Sequence, residues 1–259
     1  MNKYRNIYIV MNYVVFLVLF CIVGAVNTFV TDNRAVLQVL KTILAWTSFF
    51  VLLVMFKKLM PDKTFGQFVK GMFAQKLDLK IFSSIFAVSL IIFILSVYAA
   101  SVISDTTFSS LFNISFKSVA GGFFVQLVSG PIGEEPGYRG YLFPELTKKH
   151  SIIMSGLIVG LLWGFWHFPL WIITGYKGAQ LIIYSVCFLI SIVCACVVMC
   201  ITYSINKNIL NCILIHQMVN FTVSSLYTGD ILAVIIPMAI QYLICTAVIC
   251  FIFIKKQKK

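Results

Sequence analysis

Charge is scarce in this sequence, and negative charge most of all: of 259 residues only 8 are Asp or Glu, against 20 Lys or Arg. With 11% of positions charged, 61% hydrophobic and a mean hydropathy of +1.00, a water-soluble domain of this size is excluded. Short strands of alternating apolar and polar residues are missing, which argues against a closed barrel and for helices as the membrane-compatible element. No Cys-x-x-Cys pair occurs among the eight cysteines, and no His-Glu-x-x-His run exists, so the common zinc signatures are absent. Internal repeats, low-complexity linkers and a separate soluble segment are lacking too. Residues 1–259 therefore read as one polytopic membrane domain.

What is present is apolar length. A spanning helix needs roughly 20 apolar residues, and eight stretches qualify: 7–30, 35–56, 81–103, 118–147, 151–174, 179–204, 208–227 and 231–254. The expected fold is an all-α integral membrane bundle of about eight transmembrane helices. The first stretch is far longer than a secretory h-region and has no convincing cleavage site, so it is kept as a span. Between Lys57 and Lys80, Phe65, Phe68, Val69, Met72 and Phe73 recur at helical spacing, which predicts an amphipathic helix on the membrane surface, with lipid anchoring as its default role.

A net charge of +12 first brings nucleic acid to mind, but its distribution excludes that partner and points to the lipid bilayer. With both termini inside, Lys57, Lys58, Lys63, Lys70, Lys76, Lys80, Lys148, Lys149, Lys207, Lys255, Lys256, Lys258 and Lys259 gather on one side or near it. Lys3, Arg5 and Arg139 join them, which leaves only Arg34, Lys41, Lys117 and Lys177 elsewhere. Such asymmetry follows the positive-inside rule and predicts an N-in, C-in chain with Asp32, Asp105 and Asp230 outside. The eight cysteines all fall within apolar stretches and read as small packing residues.

Against this background "GPIGEEPGYRGYLF", Gly130–Phe143, stands out. Charge at membrane depth is disfavoured by a few kcal/mol per residue or more, so it usually marks a function. Glu135 and Arg139 are four apart and can pair on one helix face, while Glu134 points about 100° away. Pro131 and Pro136 each free a backbone carbonyl, tolerable at depth only beside water or protein. Two further polar groups lie in other spans: His167 in "WGFWHFP", and His216 with Asn220 in "HQMVN", which share a face. His150, in a short basic loop, is expected to be solvated. A carboxylate and an imidazole can together deprotonate water, and two further donors can stabilise the oxyanion formed at a carbonyl. A zinc site built from Glu and two His, and a proton path in a transporter, use the same residue types.

Glu134-Glu135-x-x-x-Arg139, the aromatic-x-x-x-His motif ending at His167, and His216-x-x-x-Asn220 resemble, in order and spacing, the three motifs of the CPBP intramembrane endopeptidases. These comprise CAAX proteases and bacteriocin-processing enzymes, also called the Abi family. The resemblance covers roughly Gly121 to Ser225, within an expected core of 118–227. One departure is Trp163, where the family usually has Phe; the aromatic character is kept. The resemblance implies an eight-helix fold with a cavity open toward the cytoplasmic side and a glutamate-type peptidase expected to need no cofactor, zinc being the alternative. It implies that Glu134 and His167 activate water, His216 and Asn220 form the oxyanion site, and Glu135 with Arg139 support the helix. The implied substrate is a peptide or membrane-anchored protein, and the implied location a membrane, with a bacterial plasma membrane favoured by the Ile/Lys/Asn/Phe-rich usage. A non-catalytic bacteriocin-immunity or scaffold protein of the same fold is the runner-up. At ~1.5 Å per residue, His167 lies ~24 Å into its stretch and His216 only ~12 Å into its own, so the helices must be staggered or the boundaries shifted.

Overall fold

The structure, a computed structural model, describes residues 3–258; Lys259, counted above among the basic residues, lies outside them. The described residues are helical, with no strand beyond the isolated bridges Phe73–Asn208 and Phe112–Tyr227. Four helices are long and apolar enough to cross a membrane: α1 (Lys3–Phe29), α5 (Leu79–Ile103), α11 (Gly178–Ile205) and α13 (Ile231–Gln257). A fifth candidate is the pair α2 (Arg34–Ala45) and α3 (Thr47–Leu59), bent by 44°. At that bend the Thr47 hydroxyl donates to Leu44 O at 2.6 Å, competing with the helical ladder.

The other three expected stretches are helical but interrupted. Residues 117–147 divide into a π-helical turn (Lys117–Gly121), α6 (Gly122–Val128), α7 (Pro131–Glu135), a second π-helical segment (Pro136–Leu142) and α8 (Phe143–Thr147). Pro131, Pro136 and Pro144 each lack a backbone donor, so a continuous i→i−4 ladder cannot form there. Residues 152–172 divide at His167 into α9 (Ile152–Trp166) and α10 (Phe168–Ile172), with Pro169 just past the break. The last is α12 (Leu210–Phe221), which runs into a π-helical turn at Thr222–Leu226.

Packing follows small residues. Gly156, Gly160 and Gly164 line the face of α9 against α11, and a Cβ on Gly160 would lie 3.0 Å from Val193 Cα. Small residues at this spacing let two helix backbones approach closely where no hydrophobic drive separates helix from lipid. The largest buried cluster brings together α1, α3, the 131–146 segment, α9, α11 and α12.

The amphipathic helix exists as α4 (Phe65–Met72), closed at its start by a capping box between Thr64 and Gln67. Its apolar face is divided: Phe65 and Phe73 stay exposed, while the rest turns inward. Phe68 and Met72 are buried, and Gly140 presses directly on them, so α4 docks on the 136–142 segment.

Contacts between connections define two ends of the bundle. At one, Asn206 and Asn208 bond to Gln75 and Lys76, and Lys148, Lys63 and Lys207 line a common groove. At the other, Leu111 and Phe112 meet Tyr227 and Thr228, and Tyr176 donates to Asp230 Oδ1 at 2.6 Å. The basic residues concentrate at the first end.

Candidate active site

The glutamates sit where the chain is most irregular. Gly130 O accepts from the amides of both Gly133 and Glu134, which starts α7 and aims the carboxylates inward. Behind them, Gly133 and Gly137 lie flat against α1 and α3: a Cβ on Gly133 would meet Trp46 Cδ1 at 2.4 Å, and one on Gly137 would meet the Tyr8 hydroxyl oxygen at 2.4 Å. The Ser48 hydroxyl lies 3.3 Å from the carbonyls of both Gly133 and Glu134, backbone acceptors near the proline breaks, and Tyr8 in turn donates to Ser48 O. Glu134, Glu135 and Arg139 are all buried, with Glu135 and Arg139 fully so.

Each carboxylate has its own network. Glu135 Oε1 accepts from Arg139 Nη1 at 3.1 Å, as the i,i+4 spacing implied, and also from His216 Nδ1 at 2.8 Å. The second contact joins residues 81 apart and carries no signal in the sequence. Because Nδ1 of His216 faces a carboxylate, its Nε2 is left to face the interior: an acceptor in the neutral ring, a donor in the charged one. Glu134 instead accepts at Oε2 from the indole Nε1 of Trp163 at 2.6 Å. Sequence reading treated Trp163 only as an aromatic; what marks it is a donor-only indole four residues before His167.

The remaining polar atoms converge. One point, where a Cβ would stand on Gly130, lies 2.9 Å from Asn220 Nδ2 and 3.4 Å from both Glu134 Oε1 and His216 Nε2. A side chain at 130 would crowd these three atoms, so glycine is what lets them gather beside the backbone. His167 is not among the three atoms nearest this point. Its Nδ1 is bonded to its own helix at Trp163 O, 2.8 Å, so the carbonyl accepts and Nε2 keeps the lone pair. His167 does share a cavity wall with His216 and Asn220, and Trp163 stands between the imidazoles, 5.7 Å from His167 and 4.8 Å from His216 between ring centroids. Cys212, near the start of α12, donates to Met199 O of α11. His150 is exposed in its loop, as expected.

The cavity beside these residues measures about 410 Å³, within the range of ligand pockets. Apart from the imidazoles, Trp163 and Asn220, its wall is largely aromatic and aliphatic, including Phe188, Ile192, Ile235 and Met238. It reaches Thr174, Tyr176 and Ile231, and so runs toward the end of the bundle away from the basic one. Gly175 and Gly178, at φ +87° and +53°, turn the chain around that rim. Among the described residues no group of three His, Cys, Asp or Glu side chains is placed to hold a metal ion. The cysteines are all free, and Cys194, Cys196, Cys200 and Cys212 are buried as packing residues.

A buried carboxylate oxygen, an imidazole and an amide donor gathered around Gly130, beside an apolar cavity, are groups able to deprotonate water and hold an oxyanion. Comparison with known proteins identifies the family. The family described as type II CAAX prenyl endopeptidase Rce1-like matches residues 116–222, a window that contains all six polar site residues. The CAAX prenyl protease 2 of Methanococcus maripaludis is 30% identical over 197 residues, spanning 71% of this chain and 70% of the relative.

Proposed function

We propose, from the premise that this chain belongs to the Rce1-like family of type II CAAX prenyl endopeptidases, that it is an integral membrane peptidase in which Glu134 acts as general base on water. The observation that carries this is the gathering of Glu134 Oε1, His216 Nε2 and Asn220 Nδ2 around Gly130, each within 3.4 Å of one point. Water gives a proton to Glu134, assisted by the lone pair of His167, and its oxygen adds to the peptide carbonyl. Asn220, and His216 when charged, donate to the oxygen that becomes negative. The proton on Glu134 then passes to the amide nitrogen as the C–N bond breaks, leaving a carboxylic acid and an amine, which exchange a proton to become carboxylate and ammonium. Arg139 and His216 both bond Glu135, so its role is to fix His216 as well as its own helix. No step needs a metal, and the amide of Asn220 is a better oxyanion donor than zinc ligand. The apolar cavity receives an apolar group on a peptide or membrane-anchored substrate, as the prenyl in the relative's name implies.

In this reading the four long helices, the bent pair and the interrupted segments 117–147, 152–172 and 210–226 make eight crossings, with both termini inside. Charge is the guide to orientation: the basic end faces the cytoplasm. The cavity lining then extends from the polar residues toward the non-cytoplasmic half.

The test is cleavage in proteoliposomes of a quenched-fluorescent peptide bearing a farnesylated cysteine followed by three residues, the recognition pattern of CAAX processing. Glu134→Gln is expected to lose about 10²–10⁴-fold in rate with an unchanged unfolding temperature. Normal turnover by Glu134→Gln would remove the mechanism.

A further inference from the structure

A general base with two equivalent oxygens has an orientation problem, because the carboxylate torsion is broad and roughly two-fold. Here the two oxygens are not equivalent. Glu134 Oε2 is engaged by Trp163 Nε1 at 2.6 Å, while Oε1 lies on the Gly130 side with His216 Nε2 and Asn220 Nδ2. An indole N–H is a donor only. It can hold an acceptor oxygen and cannot exchange roles during a proton transfer.

Trp163 is itself held from several sides. It is 3% exposed, the Arg139 guanidinium lies 4.2 Å over its ring, and His216 meets it edge-on. Its carbonyl accepts from His167. One residue therefore touches Glu134, Arg139, His216 and His167 together. Through Arg139, which also pairs with Glu135, the two carboxylate networks share a wall. A phenylalanine would fill most of this space but would leave Oε2 buried without its donor.

We infer that Trp163 is the positioning residue that divides the labour between the oxygens of Glu134: Oε2 is held by the indole, and Oε1 is the one that takes the proton from water. This rests on Glu134 being the general base. It separates ring packing, which any large aromatic supplies, from donation, which only the indole N–H supplies.

The experiment replaces Trp163 by β-(3-benzothienyl)alanine, which keeps the bicyclic ring and puts sulfur in place of N–H; Trp163→Phe is made alongside. With the farnesylated reporter peptide, the benzothienyl chain is expected to lose about 10–100-fold in kcat, the scale of a misoriented catalytic group, with KM within about twofold. Its unfolding temperature should match the native chain, which separates donation from packing even where Trp163→Phe folds poorly. Independently of activity, ¹⁵N-labelled indoles give signals from the four tryptophans; the one missing in the benzothienyl chain should shift in Glu134→Gln. Native kcat in the benzothienyl chain, with Glu134→Gln inactive, overturns the inference and leaves the general base standing. An indole signal of Trp163 that ignores Glu134→Gln overturns it as well. Full activity of Glu134→Gln would instead remove the general-base reading itself, and the inference with it.

Discussion

Glu135 is the side chain whose loss should be felt most widely. Its Oε1 alone serves both Arg139 and His216, and all three residues are buried. Removing one member of a buried pair leaves the other charge uncompensated, at a cost of about 3–5 kcal/mol. Glu135→Gln is therefore expected to lower the unfolding temperature in detergent, where Glu134→Gln leaves it unchanged. Equal stability of the two variants would show that the glutamates are not divided between support and chemistry. Metal belongs to this scale as well: exhaustive chelation is expected to leave cleavage intact, with no stoichiometric zinc by elemental analysis. Activity lost to a chelator and restored by zinc would reverse that. The identities of Glu134, Glu135, Arg139, His167, His216 and Asn220 were legible because each is a polar residue in an apolar run and two pairs share helix faces. The bonds from His216 to Glu135 and from Trp163 to Glu134 were not, since they join residues 81 and 29 apart and depend on how helices dock.

The elements show where periodicity stops being informative. All eight apolar stretches are helical to within a few residues, yet hydropathy alone could not foresee that four are interrupted. Prolines announce some breaks; the bend at Trp46 has no proline or glycine and arises from a side-chain hydrogen bond. The π-helical segment Pro136–Leu142 lies directly after the glutamates, a place where such irregular turns often serve function. Likewise the apolar face of α4 was legible, but that Phe68 and Met72 dock on protein was not. The flat back of α7 gives a test. Gly133→Ala puts a methyl 2.4 Å from the Trp46 ring, inside any allowed contact, and overpacking costs about 1–3 kcal/mol. Reduced stability with weaker cleavage is expected in Gly133→Ala, measured beside Gly24→Ala, where a methyl meets nothing within 4 Å. Indistinguishable unfolding of the two would show that α7 does not rest on α3 as described.

For the whole molecule, the question is which way round it sits. Single reporter cysteines on a cysteine-free background are expected to separate into two sets. Asp105→Cys and Tyr176→Cys should react with an impermeant thiol reagent on intact cells, and Lys148→Cys only after permeabilisation. Labelling of Tyr176→Cys and Lys148→Cys from one face would contradict the two ends defined by the loop contacts. Labelling of Lys148→Cys alone on intact cells would reverse the orientation read from charge.

The glycine seat behind the glutamates has an evolutionary consequence. The family model matches residues 116–222, whereas Tyr8, Trp46 and Ser48, which shape the surface under Gly133 and Gly137, lie outside that window. The front of the chain thus acts as a mould for a casting made by the rest. Its outward positions, such as Val10, Val14, Leu17 and Val18, are all at least half exposed on α1 and take no part in that mould. Tyr8, Trp46 and Ser48 can change only in step with the glycines they touch, so substitutions at these sites are expected to be paired between the front of the chain and the 131–137 segment.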